Sequence, residues 1–168
     1  LWGCEKIKKL ELTSKISSVG SYVFRDCKAL EEIIVVPENT YFKSVDGILY
    51  EKKKYMRMMV CPAMKQGIVT VADGMYEIGT EAFHDCKYVT EVRLPESLET
   101  INSSAFEGCS ALEKIELPDN IEQIGMYAFE DCTALKSVKL PARLTDIDQA
   151  VFAGCESLEN IVIPEGVT

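Results

Sequence analysis

Seven cysteines and a single histidine are the side chains of this sequence with the widest chemical repertoire. Six of the thiols, Cys4, Cys27, Cys86, Cys109, Cys132 and Cys155, recur every 23 residues except between Cys27 and Cys86. Structural zinc sites draw on ligand pairs close together in sequence, of the C-x₂₋₄-C kind, and no such pair occurs. If equivalent thiols stack, they stand about 5 Å apart, a separation a disulfide can bridge. Stacked side chains point the same way, however, so bonding would distort the backbone. The thiols are therefore expected to be free, buried and packed as small apolar groups. Cys61 lies outside the series and is expected to be the most reactive of the seven. His84 is the only group on which a Ser/His/Asp or Cys/His site could be built. It occupies a column that elsewhere holds Arg25, Glu107, Glu130 and Ala153, so it is read as exposed and non-catalytic. No catalytic, cofactor-binding or metal-binding residues are assigned.

What positions the cysteines is a repeat. Three residues after them stand Ile7, Leu30, Val89, Leu112, Leu135 and Leu158; six after, Leu10, Ile33, Val92, Ile115, Val138 and Ile161; eight after, Leu12, Val35, Leu94, Leu117, Leu140 and Ile163. Apolar residues two apart with a polar one between predict a short half-buried strand. A period in the twenties carrying one strand per unit predicts a solenoid with a parallel sheet. Pro95, Pro118, Pro141 and Pro164 close the strands, where the missing N–H breaks no ladder. Gly20, Gly79, Asn102, Gly125 and Asp148 share a column and are predicted to take positive φ, as are the residues before each repeated Cys. Between the two turns, Phe24, Phe83, Phe106, Phe129 and Phe152 are predicted to form one stacked column, accompanied by Cys27, Cys86, Cys109, Cys132 and Cys155.

The composition fits a globular domain, 47% apolar and 27% charged. A net charge of −9 argues against nucleic acid, and no apolar run is long enough to insert in a membrane. The chain starts and stops within a repeat, so it is expected to be a fragment, residues 1–168 forming a single solenoid unit.

The recurring string IGxxAFxxCxxLxxIxLPxxLxxI resembles the BspA-like (Treponema-type) leucine-rich repeat of bacterial surface proteins. Thr13 and Ala72 depart from it at the Pro position, Val23 and Val151 at the Ala position. The resemblance implies a leucine-rich-repeat solenoid: a right-handed β/α superhelix, mostly β, with a parallel concave sheet and short helical or irregular turns outside. It also implies a binding role at the cell surface or in secretion, in adhesion or contact with a host protein.

The repeat is interrupted between residues 38 and 71, where Asp46-Gly47 marks a tight turn between extended flanks. A β-meander insertion is expected there, with Tyr50, Tyr55, Met56 and Met58 as a candidate contact patch. The outward positions of the solenoid strands supply the other candidate surface: Glu32, Ile34, Glu91, Arg93, Lys114, Glu116, Ser137, Lys139, Asn160 and Val162. Charges of opposite sign alternate between neighbouring strands, predicting cross-strand pairs Glu91–Lys114 and Arg93–Glu116–Lys139. A non-enzymatic protein-binding module is the first expectation, its ligand unidentified. A structural spacer, and an accessory segment of an enzyme whose catalytic part lies elsewhere, are the alternatives.

Overall fold

The computed structural model describes residues 1–20, 22–53 and 55–167. Its strands are β1 (Lys9–Leu12), β2 (Glu32–Val35), β3 (Phe42–Val45), β4 (Ile48–Glu51), β5 (Arg57–Val60), β6 (Gln66–Thr70) and β7 (Glu77–Ile78), followed by β8 (Tyr88–Arg93), β9 (Thr100–Ile101), β10 (Lys114–Ile115), β11 (Gln123–Ile124), β12 (Ser137–Lys139) and β13 (Asn160–Val162). They wind into a solenoid. β1, β2, β6, β8, β10, β12 and β13 lie along one side, paired in parallel as β1–β2, β6–β8–β10 and β12–β13. β5, β7, β9 and β11 form a second parallel ladder. The register follows the period, with Leu10 opposite Ile33, Val92 opposite Ile115 and Val138 opposite Ile161.

Inward residues of these strands, among them Ile33, Val69, Val92, Ile115 and Val138, are buried, while their strand neighbours face solvent. In β13 and just after it, Ile161, Val162 and Ile163 are all exposed.

No helix occurs among the described residues; the outer arc is made of turns. Within one arc, Ala82, His84 and Cys86 donate to carbonyls three residues back, while Glu81, Phe83 and Asp85 donate to Ser103, Ala105 and Glu107 of the next winding. This alternation of local and inter-winding bonds satisfies the arc's backbone donors without a helix. It bends the chain through two left-handed residues per arc. One is the residue before the repeated Cys, as expected: Gly3, Asp26, Asp85, Gly108, Asp131 and Gly154 all have positive φ. The other is Tyr22, Glu81, Ser104, Tyr127 or Ala150, not the preceding Gly/Asn/Asp column. Gly20, Gly79 and Gly125 keep ordinary φ. Gly125 is needed for space instead, because a Cβ there would sit 2.6 Å from the backbone nitrogen of Ser103.

The phenylalanine column is continuous from Phe83 through Phe106 and Phe129 to Phe152, with ring centroids 4.8, 5.0 and 5.5 Å apart. Phe24 does not belong to it. It packs on a separate small core built around Leu12, Cys27, Leu30 and Ile33, because the interruption stands between the two.

The structure divides that interruption in two. β3 and β4 form an antiparallel hairpin, and β5 pairs antiparallel with β4 on one edge and parallel with β7 on the other. β5 thus ends the meander and resumes the solenoid, and residues 57–71 are a winding rather than an insert. The extra length lies between the first and second strands of the winding: Met58 follows Ile33 by 25 residues, whereas Ile78 follows Val69 by nine. The arc that follows is short, 11 residues from Met58 to Val69 against 14 from Ile78 to Val92.

β4 is the partition. Leu49 packs into the small core, while Ile48 and Tyr50 pack into the large one, so three consecutive apolar residues are buried as in a strand covered on both faces. Tyr50 and Met58, expected in an exposed patch, are fully buried for this reason; Tyr55 and Met56 are exposed. The Tyr50 hydroxyl accepts from the Ala72 N–H at 3.4 Å, a donor that Pro, the usual residue of that column, lacks. Burial pushes the Tyr50 phenol up to about 12. Asn39 fastens the hairpin: its Nδ2 donates to the Thr13 and Ile16 carbonyls and its Oδ1 accepts from the Tyr41 and Phe42 amides.

Candidate functional site

Two surfaces need consideration. The first is the outward row of the longer strands. Ile34, Arg93, Lys114, Glu116, Ser137, Lys139, Asn160 and Val162 are exposed there, and Glu32 and Glu91 half-buried. The expected pairs Glu91–Lys114 and Arg93–Glu116–Lys139 do not form across neighbouring strands. Glu91 accepts from Arg93 at 2.8 Å and Lys114 approaches Glu116 at 2.9 Å, both within one winding, while Lys139 reaches Asp119 at 4.0 Å. Flexible stems let residues two apart on one face meet as easily as residues on adjacent strands. The Arg93 bond holds the Glu91 carboxyl below its ordinary range. One pair across neighbouring strands of this row does form, Lys9–Glu32 of β1 and β2 at 2.9 Å; the other pairs between windings, Lys8–Glu31, Glu5–Lys28 and Glu113–Lys136, lie off the row. Such exposed pairs contribute little stability, so this row is free to be chosen for contact. Ile68 of β6, exposed on the same side, adds an apolar residue that the repeat pattern alone did not single out.

The second surface is a cleft on the outer side, where the windings fall out of step. Cys61 explains it. Its amide donates to the Ala82 carbonyl, as that of Phe83 donates to Ala105, and the Cys86 thiol approaches the Cys61 carbonyl as Cys109 approaches that of Phe83. Cys61 therefore holds the phenylalanine place in the shortened arc, and is buried rather than exposed and reactive. A thiol where other windings carry a ring leaves a void of about 70 Å³, walled by Val19, Val23, Phe24, Met59, Val60 and Ala63. Arg25, Arg57, Glu81 and His84 line its polar side, Arg57 being paired with Glu51 at 3.0 Å.

Glu81 is placed there by its left-handed backbone, φ 57°. Its side chain is 6% exposed and its Oε1 accepts from Arg25 Nη1, a residue 56 positions away. Burial pushes the Glu81 carboxyl up, against the pull of Arg25. His84 is 11% exposed rather than solvent-facing, with Nδ1 3.8 Å from a Glu107 oxygen. Arg25 also reaches toward Glu107, at 3.9 Å. Glu81 Oε2 and His84 Nδ1 are buried without a hydrogen-bond partner. Sequence reasoning missed this cluster, although the column Arg25, His84, Glu107, Glu130 already contained a change of charge along the outer arc.

The thiols are free. Cys109, Cys132 and Cys155 donate to the Phe83, Phe106 and Phe129 carbonyls of the preceding winding at 3.1, 3.2 and 3.1 Å. The repeated Cys thus supplies a weak donor as well as apolar bulk. The Cys61 thiol and burial push Cys86 well above the usual thiol range; burial and the Cys132 thiol do the same to Cys109. Such groups are poor nucleophiles. Among the described residues no cluster of three or more His, Cys, Asp or Glu is placed to hold a metal ion, and no helix is long and apolar enough to cross a membrane.

The family model for the BspA type leucine rich repeat region matches in six copies over residues 1–47 and 60–168. The gap, residues 48–59, takes in β4 and all of β5 but its last residue. No curated protein matches the chain. Among solved structures, a leucine rich cell surface protein from Faecalibacterium prausnitzii is 25% identical with a TM-score of 0.71, over 93% of this chain and 48% of that one. A leucine-rich repeat protein from Eubacterium ventriosum is 21% identical with a TM-score of 0.78, over 96% and 50%. The pneumococcal vaccine antigen PcpA is 23% identical with a TM-score of 0.77, over 92% and 44%. The chain spans about half the length of each.

Proposed function

We propose, from the premise that this chain belongs to the BspA-type leucine-rich repeat family, that it is a non-enzymatic protein-binding module of a bacterial cell-surface or secreted protein. The observation that carries the reading is the division of labour along the strands. Inward residues are committed to the core, whereas outward residues of successive windings are exposed and joined only by loose ion pairs. A solenoid displays such residues as one extended surface. Arg93, Lys114, Glu116 and Lys139 at the centre, with Ile34, Ile68 and Val162 as apolar contacts, suit a protein of mixed charge. The match to a leucine rich cell surface protein supports the location.

The test is binding of the purified chain to a panel of immobilised extracellular-matrix proteins by biolayer interferometry. The triple variant Arg93→Glu, Glu116→Lys, Lys139→Glu should bind its partner at least roughly tenfold more weakly, about 1.4 kcal/mol, with an unchanged circular-dichroism spectrum. Equal affinity would remove this face from the proposal. Failure of the unaltered chain to bind any panel member would favour the spacer reading.

A further inference from the structure

The outward columns of the strand face turn apolar where its ladder is broken. Ile68 of β6 occupies the column that holds Lys9, Glu32, Glu91 and Lys114 in other windings. Ile34 of β2 stands opposite Glu11. The Gly47 carbonyl accepts from the Ile33 amide and Ser44 Oγ from that of Val35, which sets Val45 beside Ile34. Ile34, Val45 and Ile68 are 39%, 45% and 53% exposed. They flank a break: β2 pairs with β1 and β6 with β8, but β2 and β6, in successive windings, do not pair. The hairpin turn substitutes for a strand beside β2 and reaches the start of β6 through Asp46 and Lys65, 2.8 Å apart. Neither hairpin strand pairs with β6. Val71 donates to the Arg93 carbonyl of β8, and backbone groups alternate between the edges of a strand, so those of Ile68 and Thr70 point to the open side. Both residues are exposed, and a Cβ on Gly67 beside them would meet nothing within 4 Å. β10 and β12 do not pair either, but Lys114, Glu116 and Lys139 stand there, and charged side chains guard an edge against added strands.

We infer that the open edge of β6 takes up an extended peptide segment of the partner protein, bonded to the backbone of Ile68 and Thr70, with apolar side chains lying among Ile34, Val45 and Ile68. The inference rests on the protein-binding reading above and gives the form in which the partner is held. An added strand supplies N–H and C=O groups at the spacing this edge lacks; a helix has spent its own on internal bonds. Ile48 and Tyr50 already fill the core with Val69 and Val71, so the segment's inward residues must be small and its outward ones apolar.

The experiment is a titration of the full chain with an acetylated, amidated heptapeptide of alternating serine and valine, at millimolar concentration, followed by ¹H–¹⁵N NMR. Saturable shifts are expected at the Ile68 and Thr70 amides, whose hydrogen exchange should slow. The same peptide N-methylated at its central residues keeps the apolar surface, loses its edge donors, and should bind at least roughly tenfold more weakly. Ile68→Lys restores the residue type of Lys9 and Lys114 at an exposed position and should weaken binding as much. Absence of shifts at Ile68 and Thr70, or undiminished binding of the N-methylated peptide or by the folded variant, would overturn the inference. So would a concentration-dependent dimer in sedimentation that Ile68→Lys abolishes, since the edge would then belong to a second copy. The N-methyl comparison needs no variant, so it decides even if the substitution disturbs folding. Peptide binding without binding to any matrix protein upholds the strand site and leaves only the choice of partner at fault. Binding to a matrix protein without peptide binding overturns the strand site and leaves the reading of the face intact.

Discussion

Gly20 and Gly125 stand in the same column of the repeat, yet their surroundings differ. A Cβ at Gly20 would meet nothing within 4 Å, whereas at Gly125 it would strike Ser103. Gly125→Ala should therefore cost about 1–3 kcal/mol, as overpacking against backbone does, and Gly20→Ala should stay within about 0.5 kcal/mol. Urea denaturation of the two variants checks the contrast, and Asn at 125 should fare no better than Ala. The thiols make a second residue-scale prediction. Folded protein treated with iodoacetamide at pH 8 should be modified first at half-exposed Cys4, with Cys86, Cys109 and Cys132 protected. Cys155 is partly exposed, but burial pushes its thiol up to about 12. Only the thiolate reacts, so its labelling should rise nearly tenfold per pH unit between pH 8 and 10, as peptide mass mapping can follow.

At the scale of elements, the β3–β4 hairpin is held by one side chain to a distant turn. Asn39 is the only polar residue among those described that is buried backbone and side chain together, and its side-chain amide is satisfied by backbone groups. Asn39→Ala leaves two carbonyls and two amides without these partners and should cost on the order of 2–4 kcal/mol. Thermal denaturation measures it; an effect below about 0.5 kcal/mol would mean that the β4 contacts alone seat the hairpin. Asp46-Gly47 marks the turn in the sequence, and both residues have positive φ. The meander is legible through its third strand, because apolar residues flank the charged run at 51–54 on both sides. That β5 also pairs in parallel with β7 is not legible, because its pattern reads alike whether its partner is a hairpin strand or the next winding.

At the scale of the molecule, the described residues form two cores of unequal size separated by β4, the smaller under β1 and β2 and the larger under the windings that follow. Stability in a solenoid is the sum of each winding and its interfaces, so the smaller block should open first. Native-state hydrogen exchange should show Leu10, Ile33 and Val35 amides exchanging before those of Val92, Phe106 and Phe129. Uniform protection along the chain would show that the hairpin couples the blocks instead of dividing them.

Periodic features are legible in the residues alone because a stacked coil confronts each winding with the same environment. Phe83, Phe106 and Phe129 fill one column, and the Asp or Gly before each Cys takes one left-handed turn, so repetition in the residues mirrors repetition in space. Non-periodic features are not legible in this way. The second left-handed position holds Tyr22, Glu81, Ser104, Tyr127 and Ala150, residue types with no common preference for that conformation, imposed by the bonds the arc makes to its neighbour. The cleft arises where a short arc meets a long one across the hairpin. Its members, Arg25, Cys61 and Glu81, come from three windings whose relative placement depends on how β4 packs between two cores. Local sequence governs the shape of one winding; what a mismatch between windings leaves open is settled only when they are stacked.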